Sequence, residues 1–113
     1  MNPKSLPILS SGNMAGSLVS EPIDLSGAIG YAVQAEWTGA TGSGTVGLQV
    51  SCADPPKVAN DWTIVPSSEF TVSSASGNDL WNVLTANYFW AQLFWTPATG
   101  GAAGSLSARV NLK

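Results

Sequence analysis

Alternation of apolar and polar residues is the dominant pattern along this chain. Between residues 29 and 38, apolar side chains occupy every second position. They are Tyr31, Val33, Ala35 and Trp37. A two-residue period predicts a half-buried β-strand, because successive side chains of a strand point to opposite faces of its sheet. The same period predicts strands over residues 46–52 and 106–112, and it places Cys52 in phase with the buried positions as a small hydrophobic residue.

The segment from residue 87 to residue 96 is apolar on both of its alternating faces. One face carries Phe89, Ala91, Leu93 and Trp95, and the other carries Tyr88, Trp90, Gln92 and Phe94. A strand that is apolar on both faces is typical of a central position in a sheet that is covered on both sides. We therefore expect this strand near the middle of its sheet.

Turn-forming residues separate the strands at short intervals. Glycine-rich stretches over residues 39–44 and 97–104 predict connections between strands, and Pro55 and Pro56 must end the strand before them, because proline has no donor for the ladder. Shorter strands are predicted at 16–20, 23–25, 62–65, 69–73 and 80–84. With no helix-period segment of useful length, the sequence predicts an all-β protein, an antiparallel two-sheet β-sandwich that is jelly-roll-like.

The first thirteen residues do not share this regular alternation. Leu6, Ile8 and Leu9 are apolar but are interrupted by Pro7, which also disfavours a helix. We predict an extended N-terminal arm over residues 1–13 and a single β-sandwich domain over residues 14–113. Such an arm either adds a strand to the sheet edge of a partner or is an unattached terminus.

The charge content restricts the classes of function. Charged residues make up 10% of the chain, against about 25% in ordinary soluble domains, so much of the surface is expected to be neutral and polar. A surface of this kind loses little solvation energy when it is covered by another protein. The net charge of −3 and the four scattered cations argue against a nucleic-acid partner.

Other sequence features concern the membrane and the compartment. No apolar run approaches the ~18 residues of a membrane helix, so no membrane partner is expected. No apolar secretory core follows the first residues, and the single cysteine suits a reducing compartment, so we expect synthesis in a cytoplasm.

Groups with catalytic potential are few. The chain has no histidine and one cysteine, which excludes histidine-based triads and thiolate metal cages. Acidic side chains are the remaining candidates: Glu21, Asp24, Glu36, Asp54, Asp61, Glu69 and Asp79. None lies in a motif. Asp54, Asp61 and Asp79 suit turns and loops, with weak calcium binding as the alternative. A hydrolytic carboxylate pair is the weakest hypothesis. We expect no enzyme activity, no cofactor and no metal.

Five tryptophans are unusual for a chain of this length. Trp37 and Trp95 are in phase with apolar neighbours, which predicts core positions. Trp90 lies on the opposite face of its strand, and it is open to three interpretations: core, subunit interface or sugar-stacking platform. The candidate interface residues are Leu6, Ile8, Leu9, Trp62, Tyr88 and Trp90.

Several short stretches together carry a family resemblance. They are Gln34-Ala35-Glu36-Trp37-Thr38-Gly39, Leu48-Gln49-Val50-Ser51, Leu80-Trp81-Asn82-Val83 and Tyr88-Phe89-Trp90-Ala91-Gln92-Leu93. Over residues 22–113 the chain resembles small β-sandwich virion structural proteins of tailed bacteriophages. The resemblance implies a virion component, most concretely a capsid decoration or cement protein that binds the major capsid protein on the outside of the head.

Decoration proteins of this kind often bind as symmetric oligomers, so the resemblance also implies a homo-oligomer, expected to be a trimer. The alternative function is a carbohydrate- or receptor-binding module of a tail or fibre, in which Trp62, Tyr88 or Trp90 stacks on a sugar.

Overall fold

The computed structural model describes residues 4–25, 30–41, 43–53, 56–57, 61–65, 68–72, 74–83, 90–97 and 103–112. Within these ranges the chain forms ten β-strands: β1 (Lys4–Asn13), β2 (Leu18–Val19), β3 (Ile23–Asp24), β4 (Tyr31–Thr41), β5 (Gly44–Ser51), β6 (Thr63–Ile64), β7 (Phe70–Val72), β8 (Gly77–Val83), β9 (Trp90–Pro97) and β10 (Ala103–Leu112). In this described part of the chain, no helix has the length and apolarity needed to cross a membrane.

The strands form two antiparallel sheets. The four-stranded sheet has the order β1-β10-β4-β8. In the six-stranded sheet, β9 and β5 are central; β2 and β3 both pair with β9, and β6 and β7 both pair with β5. When β2 with β3 and β6 with β7 are each counted as one interrupted strand, two four-strand sheets remain, with the strand order of a jelly roll. The predicted all-β two-sheet sandwich is confirmed.

The core lies between the two sheets and is made by every second residue of the long strands. From β4 it receives Tyr31, Val33, Ala35 and Trp37, and the facing strands supply Val46, Leu48, Ala91, Leu93, Trp95, Leu106, Ala108 and Val110. The predicted core positions of Trp37 and Trp95 are confirmed. Both indole N–H groups are satisfied, because Trp95 Nε1 donates to Met14 O at 3.0 Å and Trp37 Nε1 donates to Ser74 O at 3.2 Å.

Residues 4–13 form β1, an edge strand of the four-stranded sheet. This strand pairs with β10 from Lys4 opposite Leu112 to Asn13 opposite Ser105. The structure therefore differs from the predicted arm and from the predicted domain boundary at residue 13. Two register shifts, one between Pro7 and Leu9 and one between Leu9 and Gly12, remove the regular alternation by which a strand is recognised.

The strand β5 ends one residue before Cys52. Beyond Ser51 the chain turns, and the Ala53 N–H donates to Ser51 Oγ at 3.0 Å. Cys52 is exposed, so the prediction of a buried cysteine is wrong. The alternation that buries Val46 and Leu48 no longer applies where the strand has stopped.

Both outer strands of the six-stranded sheet are interrupted, and a buried serine lies in each gap. Between β2 and β3, the Ser20 N–H donates to Leu93 O and Ser20 Oγ accepts from the Leu93 N–H, both at 2.9 Å. Between β6 and β7, Ser68 Oγ accepts from the Leu48 N–H at 3.2 Å and donates to Val65 O at 2.7 Å. Leu48 lies directly opposite Leu93, and the backbone groups of these two residues point away from each other towards the serines. Each serine therefore takes the place of a missing strand partner in the same row.

Candidate interaction surface

Two of the predicted interface tryptophans lie in one row on the outer face of the six-stranded sheet. Ala91, Leu93 and Trp95 point into the core, so their neighbour Trp90 points outward. Trp90 pairs with Ser51.

The register of β6 places the second tryptophan on the other side of Ser51. Val50 pairs with Thr63, so Trp62 continues the row one position beyond that last pair. Two strand spacings separate β9 from β6, which puts the Cα atoms of the two tryptophans roughly 10 Å apart.

The neighbouring row is built from amides. Gln92 Nε2 donates to Gln49 Oε1 at 2.7 Å, and Gln92 is 7% exposed. Gln49 also pairs in register with Ile64, whose side chain is exposed. We refer to Trp62, Trp90, Ser51, Gln49, Gln92 and Ile64 together as the tryptophan face.

A largely covered aromatic ring, that of Phe94, continues this face towards the other end of β9. Phe94 pairs with Gly47, and a Cβ atom at Gly47 would lie 2.8 Å from Phe94 Cε1. The absence of a side chain at Gly47 therefore lets the Phe94 ring approach the backbone there. Val19, which pairs with Phe94 on its other side, is 60% exposed.

The chemistry that this face offers is stacking, amide hydrogen bonding and apolar contact. Trp62 and Trp90 are both half-buried, so part of each ring is packed and part is accessible. The ionisable residue in the same row is Asp24, opposite Trp90 on β3. Among the described residues, no group of three or more His, Cys, Asp or Glu side chains could hold a metal ion.

The outer face of the four-stranded sheet has a different character. One of its rows runs Pro7, Arg109, Gln34 and Leu80 across the four strands. A shallow cavity of about 160 Å³ lies where the register of β1 shifts, next to Pro7, Leu9 and Arg109. This face is mainly polar, and it lacks the paired tryptophans of the opposite sheet.

The apolar candidates from the N-terminal segment belong to the sandwich itself. Ile8 is 6% exposed and lies in the core, and Leu9 is partly buried against it. Leu6 is 37% exposed and lies opposite Val110 on the inner side of the sheet edge. Ile8 is therefore not available to a partner, because its apolar surface is already covered by this chain.

The remaining candidate interface residues are Trp62, Tyr88 and Trp90. The structure brings Trp62 and Trp90 together, whereas Tyr88 lies outside the described residues. Sequence reasoning missed the Gln49–Gln92 pair and the exposed Ile64. The signal for the two glutamines was their polar position between apolar residues, but their contact depends on the register of β5 against β9.

The strand order and the core define this chain as an antiparallel β-sandwich of jelly-roll topology. No protein-family model matches the sequence, and no curated protein is significantly similar to it. Among solved structures, the SPBc2 prophage-derived protein YomS superposes with a TM-score of 0.60 at 11% identity, over 99% of this chain and 95% of that one.

Two further solved structures are similar in fold. A protein described as "CBM4 structure and function" gives a TM-score of 0.51 at 11% identity, over 96% of this chain and 70% of that one. The coat protein of Tobacco streak virus gives 0.45 at 9% identity, over 99% and 87%. At these identities the likeness to the first two proteins concerns the fold alone, and the third value is too low to support an inference.

Proposed function

We propose that this chain is a virion structural protein of a phage, and that it binds the outside of the capsid as a decoration protein. The observation that carries the proposal is the tryptophan face, which presents two aromatic anchors and an ordered amide pair on a rigid sheet. The fold-level likeness to a prophage-derived protein over nearly the whole of both chains supports the same origin.

The tryptophan face has the properties of a protein contact surface. Tryptophan is enriched among the residues that dominate interface energies, and truncating such a residue typically costs about 2 kcal/mol or more. Packing holds part of each ring of Trp62 and Trp90 in place before binding, so little side-chain entropy remains to be lost. The low charge of the chain limits the solvation energy that is lost around these anchors.

The partners in this proposal are the major capsid protein and other copies of this chain. A decoration protein contacts a shell that repeats the same site many times. Weak individual contacts then act together when copies are linked, because the second contact becomes intramolecular. The stabilisation of the shell is mechanical, and no chemical reaction by this chain is part of the proposal.

The test measures how much of the protein rebinds to purified particles from which it has first been removed. We expect Trp62→Ala and Trp90→Ala each to weaken rebinding by about 30-fold, the equivalent of about 2 kcal/mol. Thr96→Ala is the matched control, because Thr96 is an exposed residue of the same strand, β9, and it should rebind normally. Circular dichroism establishes that each variant is folded.

Three results would contradict the proposal in whole or in part. Absence of the protein from purified particles would remove the virion assignment altogether. Normal occupancy of both tryptophan variants would leave the virion assignment but exclude the tryptophan face as the contact surface. A copy number that matches the tail rather than the shell would move the protein from the head to the tail.

A second candidate function is a carbohydrate- or receptor-binding module of a tail or fibre. The observation that favours it is the placement of two tryptophans in one row beside an amide pair, since aromatic rings and amides are suited to the apolar faces and hydroxyls of sugars. The likeness to the protein described as CBM4 agrees at the level of fold. Saturable quenching of tryptophan fluorescence by a polysaccharide, lost in Trp62→Phe and Trp90→Phe, would support this function.

A further inference from the structure

Most outer strands of this sandwich carry a feature that prevents pairing with another chain. β2, β3 and β6 have two residues each and β7 has three, which is too short to template a partner. β1 is long, but it contains Pro7 and two register shifts, and its Ile8 O accepts from the Glu21 N–H at 2.9 Å. Short edges, prolines and bulges are the usual protection against edge-to-edge association.

β8 is the exception among the outer strands. Its seven residues, Gly77–Val83, pair with β4 in one unbroken register. The strand contains neither proline nor lysine, and within the described ranges no strand pairs with its other side. At its centre, Leu80 is 60% exposed. A long, regular and partly apolar edge of this kind is a template for another strand.

A hydrogen bond shows which backbone groups face the open edge. The Leu80 N–H donates to Asp79 Oδ1 at 2.9 Å and is therefore turned away from β4. Because alternate residues of a strand direct their backbone groups to the same side, Asn78 and Asn82 also face outward. Three residues of β8 thus present N–H and C=O groups at the edge, and the Asp79 carboxylate has to move aside when a strand pairs there.

We propose that β8 is a self-association edge, at which two copies of this chain pair antiparallel about a two-fold axis through Leu80. In this register Leu80 faces Leu80 of the second copy, and Asn78 faces Asn82 of the second copy. All seven residues of the strand find a partner, and the outward backbone groups of Asn78, Leu80 and Asn82 meet those of the second copy. The two four-stranded sheets then become one continuous sheet.

The charge pattern of β8 favours a second copy of this chain as the partner that pairs at this edge. Asp79 is the ionisable residue of β8, and the proposed register places it opposite Trp81 of the second copy. A two-fold axis through Asp79 would instead place two carboxylates opposite each other, which is destabilising. The strand is therefore complementary to itself in the register that also gives the longest pairing.

The expected dimer is weak. Pairing along one strand buries less than the about 1,200 Å² of a standard stable interface, so dimerisation should depend strongly on protein concentration. The proposal does not rest on capsid binding, and it replaces the trimer implied by the family resemblance with a two-fold dimer.

Disulfide trapping in the full-length chain tests the register. In a Cys52→Ser background, a Leu80→Cys variant brings two thiols to the axis, where paired Cα atoms are about 5.5 Å apart and a disulfide can form. Mild oxidation should therefore give a covalent dimer. Val19→Cys in the same background is the matched control, because Val19 is also 60% exposed but lies on the other sheet; its cross-linking should be at least tenfold slower.

Sedimentation equilibrium provides a second measurement without cysteines. The native chain should dimerise at high concentration, and Leu80→Lys, which opposes two positive charges at the axis, should remain monomeric. Cross-linking of the Leu80→Cys variant no faster than that of the control would overturn the proposal. So would a trimer in sedimentation, or association of the native chain that Leu80→Lys does not weaken. Particle binding by the tryptophan variants tests a different face of the protein. Its outcome therefore does not decide whether two copies pair along β8.

Discussion

Replacing Ser68 by alanine removes the hydroxyl that fills the gap between β6 and β7. Ser68 Oγ is the acceptor for the Leu48 N–H at 3.2 Å and donates to Val65 O at 2.7 Å. Leu48 is 1% exposed, so water cannot readily replace the lost acceptor. A buried donor left without a partner costs about 1–3 kcal/mol. For a domain of this size that corresponds to a fall in Tm of about 4–12 °C.

Thermal and urea unfolding followed by circular dichroism measure this effect. Ser74→Ala is the matched control, because Ser74 Oγ donates to Ser76 O at 3.1 Å in an exposed turn, where substitutions usually change the free energy of unfolding by less than about 0.5 kcal/mol. Equal losses in the two variants would refute the reasoning, since they would show that the Ser68 hydroxyl does not take the place of a strand partner for Leu48.

Two further predictions concern packing and exposure. Gly44→Ala should lower the free energy of unfolding by about 1–3 kcal/mol, because its Cβ would lie 2.6 Å from Thr96 O and closer still to the Trp95 ring. Gly16→Ala should change the free energy of unfolding little, because nothing lies within 4 Å of the added Cβ. Equal stabilities of the two variants in a urea titration would contradict this packing. The Cys52 thiol should react with a disulfide reagent in the native protein, and a reaction that requires denaturant would contradict the end of β5 at Ser51.

The sequence predicted those elements in which one face of a strand is buried and the other is exposed. From Tyr31 to Trp37 the burial follows the alternation residue by residue. The strand over residues 91–95 is buried throughout, as expected for a central strand that is apolar on both faces. In these segments the positions of the apolar residues follow directly from the two-residue period of side chains along a β-strand.

Irregular pairing explains what could not be predicted. In β1 the register shifts around Leu9 separate the burial of Ile8 from any simple period, so a strand of the sheet was interpreted as an arm. The proximity of Trp62 and Trp90 depends on how β5 aligns with both β6 and β9. That alignment is set by packing across the whole sheet, and no local stretch of the sequence contains it.

The position of β10 between β1 and β4 has a consequence for synthesis. Lys4 pairs with Leu112, so β1 emerges from the ribosome long before the strand that hydrogen-bonds to it. Until residues 103–112 have been made, Ile8 stays uncovered by its sheet, and β4 also lacks one of its two neighbours. Pairings between such distant parts of a chain form slowly, and apolar, aggregation-prone surfaces stay exposed until they have formed. The nascent chain therefore has to remain soluble without its four-stranded sheet until residues 103–112 have been made.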